Sequence, residues 1–280
     1  MREINVSHIT DAICTMCVQA NCNLNQDIED ALCRGLSFET GETAKSILSD
    51  ILHNAKIART ENMPICQDTG MAVIFLKVGQ EVHFTGGSLT QAINEGVRLG
   101  YESGYLRKSV VGDPVRRGNT GDNTPAIIHT EIVEGDKVEI TVCPKGFGSE
   151  NMSAIKMLKP SDGVEGIINF VTDTVKEAGS NPCPPIVVGV GIGGTFEKAA
   201  LLAKTALLRN IDTKNPDSFY ADLETRLLEK INDLNVGPQG LGGKTTALGV
   251  NIETYPTHIA GMPCAVNISC HVTRHISAII

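Results

Sequence analysis

Three cysteines, far apart in this 280-residue chain, stand where proline and glycine rather than helix or strand set the backbone. Cys66 lies in Met63-Pro-Ile-Cys-Gln-Asp-Thr-Gly70, Cys183 in Asn181-Pro-Cys-Pro-Pro185, and Cys270 in Val266-Asn-Ile-Ser-Cys-His271. Cysteines buried in regular elements usually behave as small inert hydrophobes. Thiolates fixed in rigid loops can instead be held toward a common point. Three of them on one iron–sulfur cluster leave one iron without a protein ligand, and an open iron is a Lewis acid. Gln67 and Asp68 follow Cys66 directly, so an amide and a carboxylate would stand beside the group held there. Pro184 and Pro185 remove two backbone donors next to Cys183, and Pro182 keeps Asn181 extended. The separations of 117 (183 − 66) and 87 (270 − 183) residues mean that the site forms only on folding.

Other clusters compete for attention. Cys14, Cys17 and Cys22, with Cys33 beyond, are the densest group, but Ile9–Ala20 reads as helix and nothing bends it into a chelating loop. Buried thiols in a helix pair are the plainer reading; a non-catalytic iron–sulfur or metal-binding subunit is the alternative built on them. Gly189-Val-Gly-Ile-Gly-Gly194 has the glycine spacing of a dinucleotide fold, but Asp212, the acid that follows, lies in a polar turn. Close packing of a strand on a helix explains these glycines better than NAD(P) binding. Gly240-Leu-Gly-Gly-Lys-Thr-Thr246 lacks the first glycine of a phosphate loop, Pro238 standing in its place.

Composition narrows the class further. The net charge is −8 with acids and bases interspersed, which argues against nucleic acid as a partner. No apolar run nears the roughly 20 residues that span a bilayer, and the polar Met1-Arg-Glu-Ile-Asn5 start has no signal-peptide core. A cytoplasmic protein is expected. Nine cysteines, an odd number in a chain too long to need staples, favour reduced thiols or metal ligands over a disulfide framework.

The elements that must position the cysteines follow from periodicity. Residues 7–22, 42–59, 88–103, 162–178, 196–209 and 218–233 read as helices, with Ser161 capping the fourth. Val73–Val78 with Glu81–Thr85, and Ala126–Val133 with Lys137–Val142, read as hairpins. Ile186–Val190, Leu248–Tyr255 and Cys264–Ser269 read as further strands, and Pro144–Asn151 as a loop. The expected fold is α/β, of mixed α+β type. A helical N-terminal part (1–60) precedes a mixed-sheet core (61–280) that carries the cluster loops, the two making one catalytic-subunit domain.

Several strings in one order are family-specific. Pro64-x-Cys-Gln-Asp-Thr-Gly70, Lys145-Gly-x-Gly-Ser-x-Asn151, Cys183-Pro-Pro-x5-Gly-Ile-Gly-Gly-Thr195, Gly242-Gly-Lys244 and Pro256-x-His-x-Ala260 closely resemble the class I fumarate hydratase and L-tartrate dehydratase family, from about residue 10 onward. The resemblance implies a hydro-lyase with an oxygen-labile [4Fe–4S] cluster on Cys66, Cys183 and Cys270, one iron lacking a protein ligand; Cys264 is the nearest competitor for the third ligand. It further implies Asp68 and His258 as acid/base residues, and Gln67, Asp68, Arg107 and Gly148 as substrate contacts, the Gly146–Gly148 loop offering backbone N–H groups to an anionic oxygen. Single-chain members continue into a second domain, so this chain resembles the alpha subunit of a hetero-oligomer such as α2β2, completed by a beta subunit. Fumarate with (S)-malate is the expected substrate pair, ahead of tartrate with oxaloacetate.

Overall fold

The computed structural model describes residues 1–280 and falls into two units, each with its own core. Met1–Leu24, Ala55–Phe147 and Arg274–Ile280 make the first unit; Asn25–Asn54 and Gly148–Thr273 make the second. In both, mixed sheets carry helices, so the expected mixed α/β fold is observed.

The first unit is organised by its most apolar strand, β2 (Met71–Gly79). Its alternate residues Ala72, Ile74 and Leu76 are buried against α1 (Val6–Cys22) and α4 (Leu89–Ser103). β2 pairs in parallel with β4 (Ile127–Val133) and antiparallel with β5 (Val138–Lys145), and β10 (Ile276–Ile279) closes the far side of β5. Neither expected hairpin forms. β2 inserts between β4 and β5, while β3 (Val82–Thr85) leaves β2 and pairs with β1 (Arg2–Asn5). Apolar content explains the exchange: β2 buries Ala72 to Ile74 and Leu76 at a central position, whereas β4 carries His129, Thr130 and Glu131 and tolerates an edge. Asn5 caps α1 by accepting the Ser7 N–H at 2.9 Å. Glycines of α4 let it lie hard against α1. A Cβ at Gly96 would stand 2.7 Å from the Thr10 carbonyl, and one at Gly100 2.7 Å from that of Cys14.

The second unit centres on β7 (Ile186–Gly193), in which every residue is buried. It lies between β8 (Ala247–Tyr255), parallel to it, and β9 (Met262–Ser269), antiparallel; β6 (Ala154–Leu158) extends the β9 edge. Ile186, Val188, Val190 and Ile192 form one face, packed with α6 (Gly163–Ala178) and α8 (Ser218–Asn232). The opposite face carries Gly189 and Gly191 beneath α7 (Phe196–Ala206). A Cβ on either would lie 2.1 Å from a carbonyl oxygen of that helix, of Ala203 and Ala199 respectively. The glycine spacing is therefore the signature of strand–helix packing, as expected. Ser161 does not cap α6; it sits in a single 3₁₀ turn, and Asp162 takes the cap position.

The helices α2 (Gln26–Phe38) and α3 (Glu42–Glu61) complete the element list, together with a one-turn helix, α5 (Phe147–Glu150), within the segment expected to be a loop. No helix is long and apolar enough to cross a membrane.

Candidate functional site

In the first unit the segment 64–70 is fastened to the fold mainly through its carbonyls. Tyr101, fully buried, donates its hydroxyl to the carbonyls of Thr69 (2.8 Å) and Gly70 (3.1 Å). Asn123 donates to the Gly70 carbonyl at 3.2 Å, and Arg274 donates to that of Asp68 at 2.7 Å. At the upstream end the Ile65 N–H reaches the Asn21 carbonyl at 2.9 Å, tying the loop to the end of α1. Gly70 has φ +74°, and a Cβ there would meet the Lys145 backbone at 2.7 Å, so glycine is required where this loop crosses β5.

This frame fixes Cys66, Gln67 and Asp68. The half-buried Cys66 Sγ accepts the Asp68 N–H at 3.4 Å and, as a thiol, points toward the Gln67 amide oxygen at 3.3 Å. Asp68 Oδ1 accepts the Gly70 N–H at 3.0 Å, and Oδ2 accepts the Phe147 N–H at 2.9 Å. Two of the family-like strings thus converge on a single carboxylate. The Phe147 N–H of the Gly146–Gly148 loop is directed at an anionic oxygen of this chain, the Asp68 carboxylate. Arg107 lies beside the same loop: its carbonyl accepts the Thr69 hydroxyl at 3.2 Å while its side chain is exposed. Lys145 and Arg274 are buried cations, 3% and 4% exposed.

In the second unit Cys183 and Cys270 lie on neighbouring segments. Cys183 is exposed and has φ +54°, a conformation uncommon for a residue with a side chain and typical of functional turns. Its carbonyl accepts the Nδ1–H of His271 at 2.8 Å and the His271 N–H at 3.4 Å. Cys270, half-buried, follows the end of β9, and its carbonyl is gripped by the Thr273 hydroxyl (2.8 Å) and N–H (3.0 Å). Exposed Gly148 faces the same neighbourhood, its missing Cβ pointing at the Asn181 carbonyl from 3.6 Å.

His258 is placed elsewhere. It lies just past β8 and ahead of β9, in a groove of about 400 Å³ with Gly194, Thr195, Glu197, Lys198, Tyr255, Pro256 and Thr257. Its Nδ1 accepts the Ala260 N–H at 3.1 Å. The eight residues of β9 separate this groove from Cys270, about 26 Å at ~3.3 Å per residue. The structure therefore does not bring His258 to the Cys183–Cys270 end of the sheet.

Of the competing cysteines, Cys17, Cys22 and Cys264 are buried, Cys14 is half-buried and Cys33 is exposed. Cys264 is fully buried inside β9 and burial pushes its thiol up to about 12. Burial likewise pushes Cys17 up to about 12. Cys14 and Cys17 lie on α1 against Gly100 of α4, Cys22 ends α1, and none of the nine cysteines is in a disulfide. Within neither unit do three His, Cys, Asp or Glu side chains gather closely enough to hold a metal ion by themselves. Sequence reasoning missed Tyr101, Asn123 and Arg274. Each acts from a distant segment, and the one local trace is the left-handed backbone of Asn123, at φ +63°.

Residues 10–279 match the family described as fumarate hydratase (Fumerase). A Methanocaldococcus jannaschii chain provisionally named as an L(+)-tartrate dehydratase subunit alpha is 45% identical over 272 residues, 95% of each chain. The L(+)-tartrate dehydratase alpha subunits of Escherichia coli (strain K12) and Shigella sonnei are each 34% identical over 272 residues, 96% of this chain and 89% of theirs. The chain belongs to the fumarate hydratase (Fumerase) family of hydro-lyases.

Proposed function

We propose that this chain is the alpha subunit of an iron–sulfur hydro-lyase that removes water from a four-carbon hydroxy-dicarboxylate, with Cys66, Cys183 and Cys270 as the protein ligands of a [4Fe–4S] cluster. The observation that carries the proposal is the fixing of Asp68: both carboxylate oxygens are held by backbone N–H groups, in a loop whose cysteine points to the same region. Three local features fit a thiolate-held cluster. The Asp68 N–H directed at the Cys66 sulfur is the kind of hydrogen bond that stabilises a thiolate ligand. The strained turn at Cys183 keeps its side chain outward. The donor set is all sulfur, whereas burial holds the core thiols Cys17, Cys22 and Cys264 protonated.

Such a cluster, with one iron open, supplies a Lewis acid for a departing hydroxyl. The chain's own residues supply the rest. A proton must leave the carbon next to a carboxylate, a weak acid, so a fixed base is needed. Asp68 fills that role, since its amide bonds leave each oxygen a second lone pair and prevent the carboxylate from turning away. Gln67 and Arg107 flank it with an exposed amide and guanidinium, and the Arg107 fork suits a substrate carboxylate. We leave His258 out of this step, because β9 separates it from the Cys183–Cys270 end of the second unit.

The relatives named for L(+)-tartrate favour tartrate, giving oxaloacetate; the family description favours fumarate with (S)-malate. The relatives are named as alpha subunits, which supports a beta subunit completing the enzyme, in an assembly such as α2β2. Anaerobic co-expression with the beta subunit, followed by assays on fumarate, malate and both tartrate enantiomers, tests the reading. Dehydration of one of these acids by the iron-loaded complex is expected. No turnover of any of them by a complex with full iron and sulfide would overturn it.

A further inference from the structure

A cation removed from water is ordinarily paired with a carboxylate, because an unpaired buried charge costs several kcal/mol or more. Arg274 departs from that rule. It is 4% exposed, the hydrogen bond it makes goes to a neutral carbonyl, that of Asp68, and its Nε–H is buried without a partner. The half-buried Arg209, by contrast, is paired with the carboxylates of Glu224 and Glu253. The charge of Arg274 is felt nearby, since it draws the Cys22 thiol and the Tyr101 hydroxyl downward against the burial that raises them.

The position of this charge gives it a use. The Asp68 carbonyl that Arg274 holds belongs to the residue whose N–H points at the Cys66 sulfur and whose carboxylate is pinned by Gly70 and Phe147. We propose that Arg274 is a positioning residue of the dehydratase: it holds the Cys66–Asp68 loop by the Asp68 carbonyl and keeps there a positive charge that no carboxylate hydrogen-bonds, for the anionic groups that the loop receives. Three thiolates around a [4Fe–4S] core give a net anion, and the substrate brings two carboxylates. A carboxylate partner for Arg274 would cancel the field they need, so its absence costs the unloaded fold and benefits the loaded one. Lysine would keep the charge without the planar fork; glutamine would keep a donor for the carbonyl without the charge. The inference rests on the proposed function for its loaded half only.

The test uses Arg274→Gln and Arg274→Lys in two preparations. In the full-length chain without metal, Arg274→Gln should raise the thermal midpoint above wild type, because it removes an unpaired buried charge. In the co-expressed, iron-loaded complex, with iron and sulfide content matched, Arg274→Gln should lower the cluster's midpoint potential in an EPR-monitored redox titration, while Arg274→Lys leaves it near wild type. Turnover of the preferred acid should fall about 10²-fold in Arg274→Gln, the scale on which a misplaced reacting group loses rate. A plain structural strut would show the reverse: a lower midpoint for the metal-free Arg274→Gln chain and an unmoved potential, and that result overturns the inference. If the metal-free chain is stabilised but the wild-type complex dehydrates none of the acids, the unpaired charge stands and the proposed function falls instead.

Discussion

Asp68 is held by the amides of Gly70 and Phe147, so Asp68→Asn removes the base and one of these two hydrogen bonds, while the other still anchors the side chain. Asp68→Asn in the assembled enzyme is expected to keep iron and sulfide at wild-type levels and lower kcat by roughly 10²-fold or more, the usual scale for a lost acid/base group. Near-normal turnover would reduce Asp68 to a turn-forming residue. Cys183 and Cys14 make a second contrast, an exposed thiol in a strained turn against a helical thiol beneath α4. Anaerobic iron and sulfide analysis should show loss of the cluster in Cys183→Ser and retention in Cys14→Ser. Legibility at this scale followed locality. Cys66, Gln67 and Asp68 are contiguous, and their string announces itself. Arg274 serves the same loop from 206 residues away (274 − 68), and no local pattern marks a residue whose partner is a distant carbonyl.

Elements obey the same distinction. The periodicity of α1, α4, α6 and α8 was readable because each buries one apolar stripe. Strand partners were not readable, because adjacency in sequence suggests hairpins, while burial sent the apolar β2 between β4 and β5. The glycines of β7 were interpretable in advance, and they make a prediction. Gly191→Ala places a methyl 2.1 Å from the Ala199 carbonyl, so denaturant unfolding should show a loss of about 1–3 kcal/mol or more. Gly118→Ala, with nothing within 4 Å, should be near neutral. The α1 thiol yields a pH prediction. Cys17 is raised in the folded state from 9.0 to about 12, so the fold keeps a proton that the unfolded chain loses. Its contribution is fully present below pH 9 and is lost as pH rises from there toward 12, at about 1.4 kcal/mol per pH unit. Urea midpoints between pH 8 and 10.5 should fall less steeply in Cys17→Ala than in wild type; equal slopes would contradict the burial of that thiol as the cause.

At the level of the whole molecule, a chain of net charge −8 confines two buried cations, Lys145 and Arg274, to the strand end and segment around Asp68. That concentration suits an anionic substrate better than the overall charge would suggest. The open iron proposed above would also reach oxidants, so air exposure of the assembled enzyme should abolish activity, and Fe²⁺ with thiol under anaerobic conditions should restore it. Activity undiminished after prolonged aeration would contradict an open iron. The class of fold followed from the mixed pattern of helices and strands. The division into units did not, because each is assembled from separated stretches of chain, and composition shows no break where they change.

The late strand β10 has a consequence for biogenesis. It covers the outer edge of β5, yet it begins 131 residues after β5 ends (276 − 145). At translation speeds of about 5–20 residues per second, a ribosome leaves that edge uncovered for roughly 7–26 seconds. During that interval the nascent sheet exposes unpaired amides and carbonyls, which other unfinished copies can capture. Yield in cells should therefore depend on chaperone capacity and on the pace of elongation more than on the stability of the finished protein.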